Sequence, residues 1–236
     1  MRLPEIDYKF WLSNWKESIG QLQVFSNVNI AKYISFDGDI NACTNEIFDI
    51  VSSGKTDKES ILRVIDLIYS WGGKSGRFFY ASTKGLPVPR DEIANNNTVF
   101  SMYLQGVVLA QSGNPASINH FCKINGIGPS YASKHAHFWS LKSASPLIIV
   151  DSKIAGSLAY SKIEQLRARY SDKDIIAKFN EKARIEFDEN DPSKIEKALF
   201  AFHNHYFKND NSGWKNNTPG QDYAAAQKLA ATLFNS

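Results

Sequence analysis

Apolar residues recur along this chain at three- and four-residue steps, a spacing that predicts helices almost throughout. Between residues 59 and 71, Ile61, Val64, Ile65 and Ile68 make one apolar stripe, and Gly72-Gly73 ends it. A second helix is predicted over 99–111, broken by Ser112-Gly113-Asn114-Pro115. Pro115 suits the first position of another helix, with Ile118, Phe121 and Cys122 facing inward. Helical spacing continues over about 129–141, 151–170, 172–186, 192–207 and 219–234. Strand-type alternation is almost absent, and Leu147 to Val150, after Pro146, is the best short extended candidate. Two segments have no period. Gly76 to Pro89 is an expected ordered loop of aromatic and glycine residues, and Asn209 to Gly220 an expected polar loop carrying an isolated Trp214. The expected fold class is all-α, with no internal repeat or linker.

A chain of 236 residues is long enough for one large domain, or for two lobes sharing a cleft. Hydrophobic content of 43% and charged content of 22% supply an ordinary core, which excludes a disordered protein. The 27 basic and 24 acidic residues leave a net charge of +3, so any nucleic-acid site must be a local patch. Cys43 and Cys122 form neither CxxC nor CxxH, so no disulfide framework, zinc site or iron–sulfur cluster is expected, and no metal ligand set is assigned. The N-terminal residues lack a signal peptide's apolar stretch and no run is long enough to span a bilayer, which gives the expectation of a cytoplasmic protein without membrane contact.

The informative stretch is 124–156, INGIGPSYASKHAHFWSLKSASPLIIVDSKIAG. Gly126 and Gly128 allow a tight turn whose amides stay uncovered, while Ile127 plugs the gap between the flanking helices. Pro129 fits the first position of the next helix, whose free N-terminal amides could accept a phosphate oxygen. On these residues alone, a plain helical corner that binds nothing is the alternative.

Together with Ile148-Ile149-Val150-Asp151, 23 residues past Gly128, this hairpin resembles that of the helix-hairpin-helix DNA glycosylase superfamily, particularly its 8-oxoguanine glycosylase-like branch. The recognisable match covers 124–156. The resemblance implies a single helical glycosylase domain over 1–236, with two lobes, a cleft between them, and the hairpin and catalytic segment at about 115–156. It implies a monomer that bends double-stranded DNA, flips out a damaged or modified base (8-oxoguanine-like or hypermodified) and excises it, in repair or anti-phage defence. No cofactor is implied beyond a monovalent cation at the hairpin.

Under this resemblance Asp151 is the catalytic carboxylate, aimed at a sugar with oxocarbenium character; the alternative is an aspartate that only caps the following helix. Glycosylases that also nick DNA carry a lysine two residues after the second hairpin glycine, where this chain has Ser130. Lys134, one helical turn later on the same face, is the substitute candidate, either as Schiff-base nucleophile or as a phosphate contact. Gly126, Ile127, Gly128, Ser130 and Lys153 are the expected DNA-backbone residues, with Lys74 and Arg77 as further basic candidates. Trp71, Phe138, Trp139 and Trp214, with Phe78 and Phe79, are candidates for stacking on a flipped base. His203 and His205, two apart on a helix, face different sides and are not expected to share a metal. The competing functions are a non-enzymatic helix-hairpin-helix DNA-binding module and a helical interaction protein without a DNA role.

Overall fold

The computed structural model describes residues 3–15, 40–72, 74–82, 85–158, 160, 163–170 and 174–207, and the predictions at 209–220 and 219–234, including Trp214, lie outside them. Among the described residues every regular element is helical. No helix there is long and apolar enough to cross a membrane. The chain divides into two compact units, one formed by residues 22–147 and one by residues 1–21 with 148–236.

In the 22–147 unit the helices are α2 (Ile40–Ser52), α3 (Lys58–Trp71), a 3₁₀ helix (Lys74–Tyr80), α4 (Pro89–Asn95), α5 (Asn97–Gln111), α6 (Ala116–Phe121) and α7 (Pro129–Trp139). The stripe predicted on α3 is its buried face: Ile61, Val64, Ile65 and Ile68 are fully enclosed. Asp57 caps that helix by accepting from the Ser60 amide at 2.9 Å, and Gly72 closes it. α6 starts one residue after Pro115, with Ile118 and Phe121 buried; Cys122, expected inward, is only half-buried. Gly106 on α5 is a close-packing position, since a Cβ there would stand 2.6 Å from the Phe121 ring.

The segment expected to be an aperiodic loop contains structure of its own. Its first part is the 3₁₀ helix, and Pro89 opens α4 at its first position. What orders it is a buried ion pair that sequence spacing could not show. The Arg90 Nε donates to Asp66 Oδ1 at 2.7 Å and Nη2 to Oδ2 at 2.9 Å, a bidentate fork, while the Tyr80 hydroxyl donates to the same Oδ1 at 2.7 Å. One carboxylate on α3 thus bolts down both the 3₁₀ helix and α4. Burial, and then the Asp66 charge beside it, push the Tyr80 phenol well above its ordinary range and keep it a donor.

The other unit contains α1 (Tyr8–Ser13), α8 (Ser152–Ser157), α9 (Ile163–Tyr170), α10 (Asp174–Phe187) and α11 (Pro192–Phe207). α11 is its central element, packing against α1, α8 and α10. Trp11 of α1 meets Phe202 of α11 edge-on at 5.6 Å, and the Ser157 hydroxyl of α8 donates to the Leu199 carbonyl at 3.0 Å. The helix predicted over 151–170 is two helices, α8 ending at Ser157 and α9 beginning at Ile163. Leu147 to Val150 has no strand partner among the described residues, although all four are buried.

Candidate functional site

The hairpin begins where α6 ends. The Ile127 amide donates to the Ile124 carbonyl at 3.1 Å, closing a four-residue turn whose third residue, Gly126, has φ +79°. That left-handed conformation favours glycine, and the packing requires it as well: a Cβ at Gly126 would stand 2.5 Å from the Pro89 Cβ. From behind, the Tyr69 hydroxyl donates to the Gly126 carbonyl at 3.4 Å. Ile127 is 3% exposed and fills the position expected of a plug.

Gly128 answers to different needs. Its φ is −75°, an ordinary value, and no atom lies within 4 Å of where its Cβ would be. It is the exposed N-cap of the 11-residue α7, it offers no side-chain oxygen to the first-turn amides, and Pro129 follows at the first helical position. The segment therefore turns an open, uncapped helix N-terminus outward, the arrangement that suits an anionic oxygen. Its carbonyls have internal donors: Ile124, Gly126 and Gly128 accept from Ile127, Tyr69 and Ala132.

The first turn of α7 is braced by aromatic rings. Tyr131 stacks on Tyr69 at 4.3 Å and 12°, and Tyr69 stacks on Phe79 at 3.8 Å and 9°. Gly72 makes room for this stack, because a Cβ there would lie 2.6 Å from the Tyr131 ring. Lys134, one turn on, is 6% exposed and donates from Nζ to Ser130 Oγ at 3.1 Å. The same ammonium lies 5.4 Å from the Tyr131 ring centre and 6.0 Å from that of Trp71. Ser130 and Lys134 do share a face, and the lysine is an enclosed cation with an oxygen acceptor and two π faces around it.

The stacking candidates separate by burial. Phe138 and Trp139 are each 1% exposed, which corrects the expectation that they could stack on a base: neither ring has an open face. Trp139 Nε1 instead donates to the Tyr103 hydroxyl at 3.1 Å, and that hydroxyl pairs with His135 Nδ1 at 2.8 Å. Burial, with the Lys134 charge second, lowers the His135 pKa to about 3, so this chain of polar groups is neutral core. Trp71 is half-buried, donates to Thr44 Oγ1 at 3.1 Å and meets Phe138 edge-on. Phe78, by contrast, is 57% exposed. The open depression lined by Asn97, Thr98, Gln105, His120 and Lys123 includes none of the predicted residues.

After α7 the chain is clipped back on itself. The His137 Nδ1 donates to the Leu147 carbonyl at 2.7 Å, and the Leu147 amide donates to Ser140 Oγ at 2.8 Å. A carbonyl only accepts, which fixes the proton on Nδ1.

In the other unit Asp151 is half-buried and is the N-cap of α8, its Oδ1 accepting from the Lys153 amide at 2.9 Å and the Ile154 amide at 3.0 Å. Both capping bonds fall on one oxygen; among the described residues no donor is recorded to Oδ2. Three residues that the sequence reading did not assign to a site accompany it. The Lys153 Nζ donates to Asn204 Oδ1 and lies 4.6 Å from the Phe200 ring centre, both on α11. His203, between them in sequence, is close enough to feel both charges: burial and Lys153 lower its pKa to about 4, against a smaller opposing effect of Asp151. The contact joins positions about 50 residues apart, so no local spacing announces it. His205 is exposed, its ring 5.1 Å from that of Trp11. Among the described residues no three His, Cys, Asp or Glu side chains converge as metal ligands.

Comparison with protein-family models, with curated proteins and with solved structures found no match. The functional reading therefore rests on the residues and their geometry.

Proposed function

We propose that this chain is a DNA glycosylase that holds duplex DNA through the 124–128 hairpin and hydrolyses the N-glycosidic bond of an extruded, modified nucleotide with Asp151. The observation that carries the reading is the hairpin itself. A glycine that packing demands is followed by one that packing leaves open, at the uncapped N-terminus of α7. Nothing in the core requires Gly128 to lack a side chain, whereas close approach of a phosphate does. Asp151 supports the chemistry, because capping occupies Oδ1 and leaves Oδ2 to face developing positive charge. In the reaction a water oxygen bonds to C1′ as the C1′–N bond breaks, its electron pair leaving with the base. The proton released by the water passes to the carboxylate or to the departing base. Lys134 supports hydrolysis over Schiff-base chemistry, since its Nζ is already committed to Ser130 Oγ and lies near two rings.

A second reading has its own observation. Asp151 makes both bonds of a complete N-cap, which suits a DNA-binding module without catalysis. Asp151→Asn separates the two. Asparagine also caps helices, so the fold and duplex binding should persist, while release of bases from oxidised and phage-modified DNA, followed by mass spectrometry, should fall by at least about 100-fold. Undiminished release by that variant removes Asp151 from the mechanism; no release by the wild type leaves the binding module. Borohydride should trap no covalent DNA adduct, and an adduct lost in Lys134→Gln would restore that lysine as nucleophile. The identity of the released base names the substrate, oxidised guanine or a hypermodified base.

A further inference from the structure

We propose that Asn204 and Phe200 of α11 are positioning residues that fix the Lys153 ammonium beside Asp151 as a cation for a backbone phosphate of the bound nucleic acid. This assignment rests on the DNA glycosylase reading. Lys153 follows Asp151 by two residues, and its backbone amide is one of the two that the carboxylate holds, so the lysine's Cα is anchored to the proposed catalytic group. Its far end is anchored as well, by the Asn204 carbonyl oxygen and the Phe200 ring. A lysine side chain in solvent loses considerable rotamer freedom when it binds an anion; here that freedom is already lost in the folded protein, which favours binding.

The chemistry of the clamp matters as much as its position. Both holders are uncharged. A carboxamide oxygen and a π face stabilise an ammonium without cancelling its charge, whereas a carboxylate at 204 would neutralise it. His203, neutral at pH 7, adds no second cation to the cluster. An ammonium carries three N–H donors, and Asn204 accepts from one of them. The result is a fixed positive charge next to the carboxylate that acts on the sugar, where a flipped nucleotide brings its own phosphates. A lysine placed only to stabilise α11 would be expected opposite an acid.

The test is the salt dependence of binding to a fluorescent random-sequence DNA duplex, in the full chain. Lys153→Gln should lower the slope of log affinity against log salt by about 0.9, one phosphate contact. Asn204→Leu should weaken binding several-fold and lose part of the same slope, and the double variant should be no worse than Lys153→Gln alone. Asn204→Asp is the decisive variant, since it keeps the acceptor and the fold yet cancels the charge. It should bind DNA as weakly as Lys153→Gln, whereas a purely structural role predicts wild-type binding. Wild-type slopes in Asn204→Asp, or a full Asn204→Leu effect persisting in the Lys153→Gln background, overturn the assignment and leave the glycosylase reading standing. Absence of salt-dependent duplex binding by the wild type overturns that reading, and this assignment with it.

Discussion

Gly126 and Gly128 stand two residues apart and lack a side chain for opposite reasons, which makes them separable by mutation. Gly126→Ala forces a Cβ into the Pro89 ring at a φ of +79° that L-residues avoid, so two penalties add. The left-handed conformation costs about 1–2 kcal/mol and the overlap with a rigid pyrrolidine about 1–3 more. Urea unfolding should register a loss of a few kcal/mol. Gly128→Ala meets nothing within 4 Å at an ordinary φ, so its stability should stay within about 1 kcal/mol of the wild type. Its duplex affinity should nevertheless fall, because the added methyl group stands over the amides that would face phosphate. An unstable Gly128→Ala, or one with unchanged affinity, would show that the open hairpin is merely a corner. Sequence alone marked both positions but could not tell them apart, because only the neighbours Pro89 and Tyr69, from distant segments, distinguish a packed glycine from an exposed one.

At the level of elements, what was legible in the sequence was what local spacing determines. The stripe on α3, the Pro129 start of α7 and the aspartate that caps α8 all depend on residues within a turn or two of one another. The 3₁₀ helix and α4 were not legible, since their order comes from Asp66, 14 residues before Tyr80 and 24 before Arg90. The same limit hid Asn204. Aromatic candidates were misjudged for a related reason: helical spacing identifies a buried stripe but not which ring within it keeps an edge in solvent, so Phe138 and Trp139 became core. The Asp66 cluster also yields a prediction. Asp66→Asn leaves the Arg90 guanidinium, whose side chain is 8% exposed, without its counter-charge, at a cost of about 3–5 kcal/mol. Replacing both, as in Asp66→Leu with Arg90→Met, should be less damaging than the single change, because no uncompensated charge stays buried. Paired denaturant unfolding curves measure this. Since Pro89 and Phe79 lie on the elements that Asp66 fastens, the single variant should also loosen the hairpin and weaken DNA binding. A double variant as unstable as the single one would assign the cost to packing rather than to charge.

The whole molecule carries its acid sensitivity in two histidines, one in each compact unit. His135 lies in the 22–147 unit with its pKa lowered to about 3, and His203 in the other unit with its pKa lowered to about 4. Both shifts have burial as their largest cause and a neighbouring lysine as the second, and in both the folded state disfavours the proton. An unfolded histidine titrates near 6.5, so below that pH the unfolded chain binds protons that the folded chain refuses. The stabilisation is therefore complete above about pH 6.5 and is lost as the pH falls toward the folded values, by about 1.4 kcal/mol per pH unit for each histidine. The two losses belong to different units, so a single transition midpoint need not describe them. His135→Leu should flatten the pH dependence of unfolding reported by probes in the 22–147 unit, where Tyr103 keeps Trp139 as its donor. His203→Leu should flatten it in the other. Unfolding curves at pH 7, 6 and 5, followed by hydrogen exchange so that each unit is read separately, test both. If neither variant changes the slope of its own unit, acid destabilisation arises from carboxylates, and the neutral histidines are only tolerated in the core. If each changes only its own, the two units respond to acid independently, each governed by one buried imidazole.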